Sequence, residues 1–147
     1  ARIRNGEAAP ESMPGRLVLL SAGLDSNDPI ENIPFIEPYL DVPTIRKAKA
    51  IWMQGLDLKD PLGSPIYGSL DGLPPVTVYS SSVDASTFQT LRLRQKVADE
   101  HNTNFTFVLR KGLLHDWTVF FFLPDAWADW PGIHAGLGLT SPAGDVV

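Results

Sequence analysis

Three short apolar runs stand apart along the chain: RLVLLSA at 16–22, VTVYSS at 76–81 and NFTFVLR at 104–110. The first is continuous and bounded by Gly15 and Gly23, which suits a strand buried on both faces, as in a parallel sheet. The second is rich in β-branched residues, and the third alternates aromatic and polar positions before turning aliphatic. Between the last two, Phe88, Leu91, Leu93, Val97 and Ala98 fall roughly on one side of a helix over 86–101. Ser86 and Gln89 have the spacing of a capping box at its start. DVPTIRKAKAIWMQG (41–55) predicts a further helix, with Asp41 as cap, Pro43 in the first turn and Gly55 at the stop. TVFFFLPDAWADWPGIHAGLGL (118–139) predicts one or two helical stretches interrupted by Pro124 and Pro131. Residues 1–5 read as the end of a helix, and 6–15, 23–40 and 56–75 as Pro- and Gly-punctuated loops. Strands separated by helices indicate an α/β fold with parallel strands.

Composition narrows the function classes. The 147 residues amount to one domain or part of one. A net charge of −5 gives no basic footprint, so no nucleic acid partner is expected. The chain has no cysteine, which excludes disulfides and thiolate metal sites. No apolar run reaches about 18 residues, so no membrane span is expected, and the start lacks the apolar core of a signal peptide. A cytoplasmic setting is therefore favoured. The first residue is not Met, which reads as a processed, truncated or incompletely represented chain. Asn104 begins a glycosylation-like NFT triplet that reads as strand.

In an open α/β sheet, functional groups gather beyond the carboxyl ends of the strands. Asp84 follows the run at 76–81, and His115, in RKGLLHDW, follows the run at 104–110. If these are parallel neighbours joined by the intervening helix, both side chains emerge on one rim. A carboxylate beside an imidazole fixes its tautomer and stabilises the imidazolium, which is the acid and base half of a catalytic triad. The same pair can also serve as a structural hydrogen bond. Asp25, after the first strand, is a rival acid, and Asp116 should point elsewhere. His101 suits a cap at a helix C-terminus, and His134 suits packing or surface. No ligand spacing supports zinc. Trp52, Trp117, Trp127 and Trp130 read as core or groove-lining residues.

PGRLVLLSAGLD, DPLGSPIYGSLDGLPPVTVYSSSVD and NFTFVLRKGLLHDW together resemble the C-terminal half of hormone-sensitive-lipase-type α/β-hydrolases, over about residues 14–138. Ala22-Gly23 stands where that family prefers Pro and an aromatic, and HDW replaces a commoner His-Gly-Phe-like ending. The resemblance implies the C-terminal, three-strand parallel portion of an α/β-hydrolase sheet with flanking helices. It implies Asp84 as catalytic acid and His115 as general base, with Trp117 and the long loops shaping the substrate pocket. The triad of this fold runs Ser, Asp, His, with the serine in a G-x-S-x-G elbow, and the 147 residues contain no such motif. A serine esterase or lipase acting on small-molecule or lipid esters would therefore need an N-terminal nucleophile-bearing half or a second chain; a homo-oligomer is one arrangement. The alternative is a non-catalytic remnant acting as a binding or assembly module. Neither reading implies a metal or organic cofactor.

Overall fold

The computed structural model describes residue 3, residues 6–28 and residues 40–139. The helix end expected at 1–5 lies outside the described residues, apart from residue 3. Three strands form one sheet: β1 (Leu17–Leu20), β2 (Val76–Ser81) and β3 (Phe105–Arg110). All pair in parallel, in the order β1-β2-β3, with Leu17, Val76 and Phe105 in register. All three therefore end at one rim. β2 is buried at every position but Thr77, whereas β1 is only half buried throughout. Both faces of β1 are covered as expected, Leu17 and Leu19 packing on one core and Val18 and Leu20 on the other; burial is only partial, and among the described residues β1 has a strand neighbour on one side only.

Two cores flank the sheet, because side chains alternate along β2. On one face Val76 and Val78 pack with Leu24, Ile66, Leu70, and with Leu93 and Val97 of α2 (Thr87–Asp99). On the other, Tyr79 packs with Trp117 and with Ile133 of α3 (Pro124–Gly136). Helix α3 lies close to the sheet because two of its positions lack side chains. A Cβ on Gly132 would stand 2.6 Å from the Tyr79 hydroxyl, and one on Gly136 would stand 3.0 Å from Val18 Cγ2. Pro131 lies inside α3 without ending it. A 3-10 turn at Trp117–Val119 precedes the helix. Asp129 of α3 is buried, paired with Arg110 at the end of β3, and accepts the Trp117 Nε1 proton at 3.2 Å.

Helix α1 (Val42–Trp52) starts as expected: Asp41 accepts the Thr44 amide proton at 2.7 Å, and Pro43 sits in the first turn. It buries no residue. Among the described residues, no helix is long and apolar enough to cross a membrane.

Candidate active site

The rim at the ends of β1, β2 and β3 is built around Asp84 and a set of serines. After β2 the chain turns sharply, with the Asp84 amide donating to the Ser81 carbonyl at 3.0 Å. The turn buries the Asp84 side chain completely. Asp84 Oδ1 accepts from the Ser86 amide at 2.8 Å and from the Ser86 hydroxyl at 2.9 Å. The capping box expected at Ser86 is therefore absent, because its hydroxyl is committed to Asp84. Gln89 also serves another purpose. Its Oε1 accepts the amide protons of Leu24 at 2.6 Å and Asp25 at 2.9 Å, and its Nε2 donates to the Asp25 carbonyl at 3.2 Å.

Asp84 Oδ1 also lies 3.0 Å from His115 Nδ1, 31 residues further along the chain. Burial pushes the Asp84 carboxyl upward. Hydrogen bonds from His115 and the Ser86 amide, with the nearby Ser21 hydroxyl, together outweigh that, and the net effect holds the group below its ordinary value. It is a carboxylate at neutral pH.

The loop carrying His115 is fastened at three amides by three serine hydroxyls. Gly112 donates to Ser82 at 2.9 Å, Leu113 to Ser81 at 2.8 Å and Asp116 to Ser21 at 2.9 Å. Asp116 adopts the left-handed conformation, φ +53°. Its carboxylate Oδ2 approaches His115 Nε2 at 3.4 Å, so the expectation that it points elsewhere is corrected.

Asp25, the rival acid, is occupied differently. It is buried, paired to Arg92 at 2.6 Å, and accepts the Tyr67 hydroxyl proton at 3.1 Å. His101 is left-handed at the C-terminal end of α2, its Nδ1 3.0 Å from the Asp99 carbonyl oxygen. His134 lies on α3 beside the Trp130 ring. Neither shares the rim with Asp84. Among the described residues, no three His, Asp or Glu side chains converge as a metal ion would require.

His115 borders a cavity of about 650 Å³. Ala85 and Ser86 line it on the acid's side. Thr44, Ala48 and Trp52, one face of α1, line the opposite wall, with Asp25 and Arg92 between them. Trp52 is held there by a bond from its Nε1 to the Gly63 carbonyl at 3.1 Å. The expected contribution of Trp117 to this pocket is corrected: its side chain is fully buried against Tyr79 and Asp129 and lines no part of the cavity. Sequence reasoning missed Ser21, Gln89 and Arg92. A serine directly after an apolar strand was the available signal for Ser21; Gln89 was masked by its capping-box spacing.

A profile of the alpha/beta hydrolase fold matches residues 2–119. A triacylglycerol lipase of Mycobacterium tuberculosis is 34% identical over 142 residues, which are 95% of this chain and 32% of the lipase. An esterase of Acinetobacter venetianus is 29% identical over 115 residues, 76% of this chain and 38% of the esterase. The crystal structure of a hormone-sensitive lipase from a metagenome library superposes with a TM-score of 0.78 at 21% identity, covering 92% of this chain and 46% of that one. That of esterase E25 superposes at 0.71 with 25% identity, covering 92% and 42%. The chain thus spans about a third of the length of the curated relatives it matches.

Proposed function

Because the chain belongs to the α/β-hydrolase family, we propose that it supplies the acid and the base of a serine carboxylesterase or lipase. The observation that carries this reading is the 3.0 Å contact between buried Asp84 and His115 Nδ1 at the rim of a cavity. Asp84 keeps the proton on Nδ1 and leaves Nε2 as the basic nitrogen.

The nucleophilic serine and the oxyanion donors come from a nucleophile-bearing N-terminal half, or from a second chain, set against the sheet. His115 Nε2 takes the serine proton as Oγ bonds to the ester carbonyl carbon. It then gives that proton to the leaving alkoxide as the C–O bond breaks. A water repeats the cycle on the acyl-serine: its proton goes to Nε2, its oxygen bonds to the acyl carbon, and the proton passes to serine Oγ as the acyl C–Oγ bond breaks and the carboxylic acid leaves. The side chain of Asp116 is 36% exposed and can give up its place near Nε2 when the serine arrives. Small-molecule or lipid esters suit the cavity, whose α1 wall is largely apolar. The edge of β1, which has no strand beside it on that side among the described residues, is where strands of a nucleophile-bearing half would pair.

One observation favours a second reading. The Asp116 carboxylate beside Nε2 suits an idle imidazole in a module kept for binding or assembly. Hydrolysis of a p-nitrophenyl ester by the full protein separates the two. His115→Ala should lower kcat by about a thousandfold or more in a protein that still folds, with a modest fall in melting temperature because buried Asp84 loses a partner. Full activity in that variant leaves only the binding module.

A further inference from the structure

Ser21 follows β1 directly, and its position is unusual in three ways. It is 3% exposed. Its backbone is left-handed, φ +42°, a conformation that a non-glycine residue adopts at a cost. Its amide nevertheless continues the ladder, donating to the Tyr79 carbonyl at 3.0 Å. The twist turns the side chain toward the ends of the other two strands, where Oγ accepts the Asp116 amide proton at 2.9 Å.

A hydroxyl that accepts from an amide still has its own proton to give. A claimant stands close by. Asp84 Oδ2 is fully buried and has no partner in good hydrogen-bond geometry among the described residues. Its sister Oδ1 is used by His115 and Ser86. A buried carboxylate oxygen left unpaired is costly. The Ser21 hydroxyl is also among the groups that hold Asp84 in its charged form.

We propose that Ser21 is a positioning residue for the acid and base: its hydroxyl accepts from the Asp116 amide, donates to Asp84 Oδ2, and so fixes both the carboxylate plane and the loop that carries His115. One side chain thereby ties together the carboxyl ends of all three strands. The left-handed backbone is the cost of aiming the hydroxyl there. The inference rests on the reading of Asp84 and His115 as acid and base, and it names how their alignment is kept.

The test is Ser21→Gly in the full protein. Glycine accepts a positive φ without strain, so the backbone is relieved while the hydroxyl is lost. A residue needed only for its turn would be replaced without loss. A positioning residue would not be: kcat for a p-nitrophenyl ester should fall about tenfold with KM little changed, as expected for one hydrogen bond to a charged group. Independently of turnover, the Nδ1 proton resonance of His115 in the proton NMR spectrum should shift or broaden. That spectrum separates failures. If the wild-type protein hydrolyses no ester, the esterase reading falls, and the resonance still decides the role of Ser21. Should the glycine variant not fold, Ser21→Cys, which keeps the volume with a much weaker donor, is read in the same way. A His115 resonance unchanged in position and width in the folded variant overturns the proposal.

Discussion

Asp84 and His115 leave the ends of adjacent parallel strands and meet with Oδ1 and Nδ1 3.0 Å apart. The contact places a full carboxylate in a buried turn, which makes it visible in the pH dependence of folding. The Asp84 carboxyl titrates below its ordinary value of 3.8 in the folded chain. The folded state therefore binds this proton more weakly than the unfolded state does. The stabilisation is fully present above the ordinary value and is lost as pH falls through the lower, folded one. Asp84→Asn should accordingly destabilise the protein at neutral pH, and the difference from wild type should shrink on acidification below the ordinary value. Denaturant melts across that range check it. A difference independent of pH would mean that Asp84 is not charged in the folded chain.

The sheet, its parallel direction and the rim on which Asp84 and His115 stand were legible in the sequence. The apolar runs mark strands, and strand ends in such a fold face one way. The half-buried state of β1 was not, because an apolar run reports burial capacity rather than the number of neighbours. Trp117 was misplaced for a related reason. An indole is apolar enough for a pocket wall, but Asp129, 12 residues on, provides an acceptor for its N–H in the core. Gln89 showed that a capping-box spacing states only an opportunity. A long-range bond to residues 24 and 25 and the demand of Asp84 on Ser86 both compete with the cap, and neither is visible locally.

Gln89 holds the turn at residues 24–25, and with it the buried Asp25 that pairs with Arg92 beside the cavity. Gln89→Ala should loosen that wall without touching Asp84 or His115. We expect KM for a short ester to rise several-fold, because the three lost bonds hold the turn and none is made to the ester, with kcat nearly unchanged. Steady-state kinetics check this. A fall in kcat at constant KM would instead tie Gln89 to the chemistry.

The contact between Gly132 and Tyr79 gives a test of the packing. A methyl at 132 would meet the Tyr79 hydroxyl at 2.6 Å, while the next ring atom lies 3.9 Å away. Gly132→Ala should cost roughly 1–3 kcal/mol through overpacking, despite the better helix propensity of alanine. Removing the offending oxygen should repair it: Tyr79→Phe combined with Gly132→Ala should melt well above Gly132→Ala alone. Additive losses in the double variant would place the strain elsewhere.

We propose that Asp84 and His115 activate a serine carried outside residues 1–147. Phosphonylation of the full protein by a fluorophosphonate measures that activation directly, since the reagent reports the nucleophilicity of one serine and requires no substrate pocket. The expected result is a single labelled serine, located by peptide mass spectrometry in a segment beyond these 147 residues or in a partner chain. Labelling should be slowed by several orders of magnitude in His115→Ala and strongly slowed in Asp84→Asn. Labelling at the wild-type rate in both variants, or of no serine at all in the wild-type protein, would contradict it.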